Sequence, residues 1–180
     1  MSDFQQETNW YVFTGAPSSG KTSVLDVLAQ KGLHVESETA RTYIEQQIEL
    51  GRSLEHIRAD HTNLQYGILH TKLIIERRLP AKELIFLDRA IPDSVAYFRL
   101  CDLPDDAAMK ASRTQKYRKI FMFERLPVTA DNIRTETEEE ADWLDQELRN
   151  VYQELGYDLI DVPVMPVEER VRFILDQLGQ

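Results

Sequence analysis

A single cysteine, Cys101, is all the thiol chemistry that this 180-residue sequence holds. An intramolecular disulfide is therefore excluded, and no Cys/His cluster has zinc spacing. In the context Arg99-Leu100-Cys101-Asp102 the residue reads as a small apolar side chain near a helix end, in a reducing cytoplasm. No apolar run approaches the length that a bilayer-spanning helix needs, and the opening stretch, residues 1–7, is polar and acidic, unlike a signal peptide. Positive charge is also scarce: 21 Lys and Arg stand against 31 Asp and Glu, for a net charge of -10. Nucleic acid and anionic membranes both need a basic footprint, so neither is expected as a partner. No repeat, low-complexity tract or interdomain linker interrupts the chain. Its length suits one domain, residues 1–180, with a three-layer core that needs neither disulfide nor structural metal.

What is present centres on residues 10–22. The apolar stretch Trp10-Tyr11-Val12-Phe13-Thr14 reads as a strand that empties into Gly15-Ala16-Pro17-Ser18-Ser19-Gly20-Lys21-Thr22, followed by Ser23 and a helix. This is G-x-x-x-x-G-K-[ST] in the strand-loop-helix setting that gives the pattern meaning. The glycines let consecutive amides point inward as a nest for an anion at a helix N-terminus. Residues 15–23 are therefore the candidate nucleotide-binding residues, with Lys21 on the β- and γ-phosphates and the Thr22 hydroxyl on Mg²⁺. In a chain this acidic, the Lys and Arg that serve such a site should be few and clustered.

Further along, Val24, Leu25, Val27 and Leu28 recur at helical spacing, and Gly32 suits a left-handed cap. Leu33-His34-Val35 reads as a second strand, delivering Glu38 and Arg41 to its carboxyl end. A helix follows to Leu50, and Ser53 opens another that continues through Ile57, Leu64, Ile68 and Ile75 to Arg78. On this long polar helix His56, Asp60 and His61 read as a solvated face. Leu84-Ile85-Phe86-Leu87 is a continuous apolar run, as in a strand buried on both faces, and ends in Asp88-Arg89. A helix from Pro92 and Asp93 to Leu100, another over residues 105–114, and a strand Ile120-Phe121-Met122-Phe123 come next. After Glu124 and Arg125 a polar connection, near residues 125–140 and carrying Asp131 and Arg134, has the length of a functional lid. A long amphipathic helix with Trp143, Leu144, Leu148 and Val151 stops at Gly156, and a strand over 157–162 and a helix over 167–178 close the chain. Alternation of this kind predicts an α/β protein with a parallel five-stranded sheet between two layers of helices.

The residues around the loop narrow the chemistry. Asp88 at a strand end supplies the acid that holds Mg²⁺ and orients Thr22. Arg89 follows it where a water-polarising glutamate marks ATP-driven machines, and no Asn/Thr-Lys-x-Asp reads a guanine as in GTPases. A kinase-like arrangement remains. Glu38 would be the base or acceptor anchor, sharing a helix face with Arg41 at i+3 and Glu45 at i+7, and Arg125 and Arg134 would close over the transferring phosphoryl group. Arg41, Arg89 and Asp93 join Glu38 as acceptor-binding candidates, and a purine is expected near residues 162–166.

Residues 15–22, Glu38-Thr39-Ala40-Arg41, Leu87-Asp88-Arg89 with Pro92-Asp93 and Ala96-Tyr97, Glu124-Arg125-Leu126-Pro127, Asp131 with Arg134, and Glu138 with Glu139 and Glu140 together resemble the small kinase-like P-loop family known as AAA-domain ATPases. That family includes the ribosylnicotinamide kinase domain of bacterial NAD-biosynthesis regulators and an animal GTP-binding protein of channel trafficking. The resemblance implies sheet order 2-3-1-4-5 and binding of Mg²⁺ with ATP or GTP. It leaves the acceptor open, and these 180 residues hold no adenylyltransferase or DNA-binding segment that would carry the regulator role. The expected function is transfer of the γ-phosphate of ATP to a small nucleoside-like or other acceptor. The alternative is a nucleotide-dependent switch that hydrolyses slowly.

Overall fold

Trp10, Tyr11, Val12 and Phe13 are all buried, which requires helices on both faces of the strand that carries them. In the computed structural model, which describes residues 4–126 and 137–178, that strand is the middle of a five-stranded parallel sheet. The elements in chain order are β1 (Gln6–Glu7), β2 (Trp10–Thr14), α1 (Lys21–Gln30), β3 (His34–Glu36), α2 (Thr39–Glu49), α3 (Leu54–Ala59) and α4 (His61–Arg78). They continue with β4 (Ile85–Asp88), α5 (Ile91–Leu100), α6 (Asp106–Ala111), β5 (Gln115–Lys116), β6 (Lys119–Phe123), α7 (Glu138–Glu154), β7 (Leu159–Val162) and α8 (Val167–Asp176). The main sheet runs β3-β4-β2-β6-β7, every pair parallel. Counting only its own strands along the chain, that is the expected order 2-3-1-4-5.

The period-two rule sorts the core. Tyr11 and Phe13 face α1 and α8 together with Phe86, Phe121 and Phe123, and the Phe13 ring lies 4.9 Å from Phe123 and 5.5 Å from Phe86. Trp10 and Val12 face the other way with Ile85, Leu87, Ile120 and Tyr152, while α5 and α7 pack through Val95, Phe98, Leu144 and Leu148. All five strands point their carboxyl ends the same way, which gathers the loops after β2, β3, β4 and β6 at one rim.

Three expectations change. The single helix expected from Ser53 to Arg78 is two, α3 and α4, broken at Asp60, whose backbone is non-helical (φ -92°, ψ 71°) and whose side chain caps α4 by accepting from Asn63 N. Ser53 does the same for α3, accepting from His56 N. The face of α4 that turns inward is not the purely apolar one: Gln65, Lys72 and Glu76 are buried beside Ile68 and Leu69. Finally, β1 and β5 pair as a separate two-stranded sheet that nothing in the sequence announces. The expected lid residues Asp131 and Arg134 lie outside the described residues.

Glu76 is sealed beneath the sheet, accepting from Ile91 N at 3.1 Å and from the Tyr117 hydroxyl at 2.8 Å. Burial pushes its carboxyl up to about 7 from an ordinary 4.5, against the opposing pull of Tyr117 and Lys72. The folded state therefore keeps a proton that the unfolded chain releases across that window, so this group's contribution to stability falls as pH rises from 4.5 to about 7 and is level above it. Denaturant titrations of Glu76→Gln and the parent at about pH 5 and about pH 7.5 should show a smaller loss of stability with rising pH in the variant. Equal losses would mean that Glu76 does not titrate in this range.

Candidate active site

The loop between β2 and α1 curls as its glycines demand. Gly15 has φ 133°, Ser18 φ 61° and Gly20 φ 81°, so left-handed residues recur along it and Gly20 sits at the N-cap of α1. At Gly15 a Cβ would lie 2.6 Å from the Phe123 carbonyl oxygen, so the loop can pass β6 only without a side chain. Ala16 and Ser19 are buried, while Ser18, Thr22 and Ser23 face solvent. Lys21 folds back into the loop and donates to Ser19 Oγ at 3.0 Å and to the Gly15 and Ala16 carbonyls at 3.3 Å. Desolvation, with the Arg89 charge, lowers its ammonium to about 8, against the pull of Asp88, Glu38 and Asp93. Those four partners show that the loop and the ends of β3 and β4 form one electrostatic unit.

Asp88 closes β4 and is buried, with Oδ1 lacking any hydrogen-bond partner among the described residues. Desolvation raises its carboxyl above the ordinary range despite Lys21. An orphaned carboxylate oxygen within the field of Lys21 is the kind of oxygen donor that a hard divalent cation takes, so Asp88 fits the Mg²⁺ role. No group of three or more His, Cys, Asp or Glu able to hold a metal by themselves occurs among the described residues.

Arg89 follows with φ 65°, a conformation that side chains adopt at a cost of about 1–2 kcal/mol. Its amide donates to the Phe13 carbonyl, and its guanidinium lies between Glu38 Oε1 (3.3 Å) and Asp93 Oδ1 (3.1 Å), 5.3 Å from the Tyr97 ring centre. Glu38, at the N-cap of α2, keeps 39% of its side chain exposed and so remains open to a ligand. Asp93 does not. It is wholly buried, and its two oxygens accept from Thr14 Oγ1, Arg89 Nη1, Ala90 N and Tyr152 OH. Burial works against its charge, but Lys72, Arg89 and these donors hold its carboxyl below the ordinary value. The expectation that Asp93 touches substrate is thus corrected: no face of it is open to a ligand, and it acts on the site by holding Arg89 and by its charge beside Lys21.

A cleft of about 400 Å³ opens from Glu38 and Arg89. Ala40 and Ile44 of α2 and Arg58 of α3 form one wall; His61, Leu64, Gln65, Ile68 and Lys72 of α4 face Ser94 and Tyr97 of α5 across it. His61 is exposed, as expected of a solvated face, and it also lines this cleft. Arg41 is exposed on α2 and does not line it. Arg125 pairs with Glu138 at 2.5 Å and with Asp142 at the start of α7. Arg134 lies outside the described residues. On the purine side Val162 is core, whereas Val164 is 47% exposed and donates its amide to Glu124 Oε2.

One residue that the sequence did not single out holds the loop in place. Arg170 of α8 is 2% exposed and donates to the Ser19 carbonyl at 2.6 Å, the Pro163 carbonyl at 2.9 Å and the Glu124 carbonyl at 3.4 Å, with its guanidinium over Phe123. It joins the phosphate loop to the ends of β6 and β7. An arginine on the inner stripe of an amphipathic helix, beside Val171 and Ile174, was its one trace in the sequence.

Loop, sheet order and strand-end acid together define a P-loop protein of the kinase-like three-layer α/β/α type. The chain belongs to the AAA-domain family, which matches residues 10–170. No curated protein sequence matches it. Among solved structures it is similar to deoxyadenosine kinase from M. mycoides, with 14% identity, TM-score 0.63, and coverage of 94% of this chain and 98% of the kinase. Thymidylate kinase from Ehrlichia chaffeensis aligns with 11% identity and TM-score 0.67 over 95% of this chain and 98% of its own. The NadR protein in complex with NR aligns with 18% identity and TM-score 0.71, over 96% of this chain but only 50% of its own length. Identities this low speak for the fold. No helix among the described residues is long and apolar enough to cross a membrane.

Arg170→Ala strips three carbonyls of a charged donor, that of Ser19 in a buried contact, and should cost about 2 kcal/mol or more in denaturant unfolding. An unchanged midpoint would show that water replaces the guanidinium freely.

Proposed function

We propose that this protein is a Mg²⁺-dependent phosphotransferase that moves the γ-phosphate of ATP, or of GTP, to a small nucleoside-like or other small-molecule acceptor. The observation that carries this reading is the sharing of Glu38 and Arg89 between two sites: both line the cleft, and both act electrostatically on Lys21 of the phosphate loop. A nucleotide tail seated on residues 15–23 and an acceptor in the cleft would meet there. Solved structures of similar fold support it, since the M. mycoides enzyme holds dATP and NadR holds NAD and AMP-PNP.

In the proposed step an acceptor oxygen attacks the γ-phosphorus while the bond from that phosphorus to the β,γ-bridging oxygen breaks. The nucleoside diphosphate leaves with the bond electrons, and the acceptor proton passes to Glu38. Lys21 and the loop amides hold the β- and γ-phosphates, and Thr22 and Asp88 would hold Mg²⁺, which supplies charge neutralisation when bound. Arg89 orients Glu38 and the acceptor. Arg125 and Arg134 of the proposed lid, near residues 125–140, would offset charge on the transferring group, which for Arg125 requires exchange of its pairs with Glu138 and Asp142. Arg41 would meet the acceptor only from outside the cleft. We place the activity in one domain, residues 1–180, in the cytoplasm.

The test is a thermal-shift and turnover panel with Mg²⁺, ATP or GTP, and candidate acceptors. Saturation at about a hundred times Kd should stabilise the chain by about 2.7 kcal/mol, and Lys21→Ala should abolish that shift and lower turnover by about 100-fold or more with the fold intact. Wild-type binding and turnover in Lys21→Ala would overturn the assignment. Tight binding with no transfer to any acceptor would favour a nucleotide-dependent switch instead.

A further inference from the structure

The cleft is basic in a chain that carries a net charge of -10. Among the described residues it is lined by Arg58, Lys72 and Arg89, with His61, against one acid, Glu38. Two of these cations are already answered. Arg89 is paired to Glu38 and Asp93, and Lys72 is buried, donating to the Ala90 carbonyl at 2.8 Å within the field of Asp93. Arg58 and His61 are not: both are exposed where they line the cleft, and among the described residues neither has an ion pair. Deeper in, Ser94 is 2% exposed and its Oγ has no hydrogen-bond partner among the described residues, while Gln65, 8% exposed, lines the same space. The rest of the wall is apolar, from Ile44, Leu64, Ile68 and Tyr97.

An unanswered guanidinium at the mouth, unanswered hydrogen-bonding groups at the floor and an apolar wall between them describe a molecule. We propose that the acceptor already bears a phosphate monoester, which Arg58 and His61 hold at the mouth of the cleft. Its body lies along Leu64, Ile68 and Tyr97, and its polar groups meet Gln65 and Ser94. A guanidinium fork plus an imidazole N–H offers donors for a dianionic phosphate, more than a single carboxylate charge calls for. The bound phosphate is the handle, and the hydroxyl that attacks is the one at Glu38. The substrate class is thus a phosphorylated nucleoside or sugar rather than a neutral one. This inference rests on the phosphotransferase reading and names the acceptor that reading leaves open.

The full chain is first saturated with Mg²⁺ and a non-hydrolysable ATP analogue, whose own thermal shift reports on the phosphate loop alone. Inorganic phosphate and matched pairs are then titrated at constant ionic strength: nucleosides with their 5′-monophosphates, and ribose with ribose 5-phosphate. The phosphorylated member of at least one pair should add a further shift at a concentration about ten-fold or more below its neutral partner, the discrimination that one charge-assisted contact supplies. Arg58→Ala should erase that difference while keeping the shift from the analogue. Arg52→Ala, an exposed arginine away from the cleft, should keep both. Neutral members binding as well as charged ones, no added shift from inorganic phosphate or any phosphorylated probe, or equal losses in Arg58→Ala and Arg52→Ala would each overturn the proposal. A chain that ignores the analogue loses the phosphotransferase reading itself, and this inference with it.

Discussion

The buried carboxylate of Asp93 is the joint on which the site turns. It receives the Thr14 hydroxyl at 2.7 Å from the end of β2, the Ala90 amide at 2.9 Å from the start of α5, the Tyr152 hydroxyl at 2.6 Å from α7 and the Arg89 guanidinium at 3.1 Å from beyond β4. A charge with no solvent contact survives only with partners of this quality, because removing one member of such a set leaves the others uncompensated at about 3–5 kcal/mol. Satisfaction of Asp93 therefore dictates where Arg89 lies, and Arg89 in turn fixes Glu38 at the rim of the cleft.

The same logic explains why Arg89 tolerates a left-handed backbone. Its amide is held by Phe13 and its side chain by two carboxylates and the Tyr97 ring, so the surroundings outweigh the local cost. Lys72 and Glu76 repeat the theme one layer away. Each is buried on α4, and each finds an end of a neighbouring element, Ala90 O or Ile91 N, at the start of α5. A strongly acidic chain thus concentrates its buried cations around the loops at the carboxyl ends of β2 and β4, where a polyanion would be gripped.

Much of this was readable along the chain. Residues 15–22 declare the loop through glycine spacing, since only glycine passes where a Cβ would come within 2.6 Å of a neighbouring strand, or turns left-handed without cost. The apolar runs ending in Thr14, Asp88 and Phe123 declare buried parallel strands, and the acid after Leu87 follows from them. Arg58, His61, Gln65 and Lys72 were not readable as a set. Helical spacing drew attention to Ile57, Leu64, Ile68 and Ile75, and a polar residue on the inward stripe breaks that pattern instead of extending it. The break at Asp60, which divides them between α3 and α4, depends on one residue's backbone angles. Arg170 was hidden for a related reason: two of its three acceptors, the carbonyls of Ser19 on the loop and of Glu124 after β6, lie 151 and 46 residues away in sequence.

By itself the sequence determined the periodic and local features: strand and helix type, order along the chain, the phosphate loop and the acid that serves it. These rest on side-chain spacing and backbone sterics within a few residues. Only the tertiary structure decided which charges are answered and which are left over. It turned Asp93 inward, left Asp88 Oδ1 and Ser94 Oγ without partners among the described residues, and set Arg58 at the mouth of a cleft. The reason is that the cost of a buried charge or hydrogen-bonding group depends on neighbours brought from distant parts of the chain, and no spacing rule along one strand or helix carries that information.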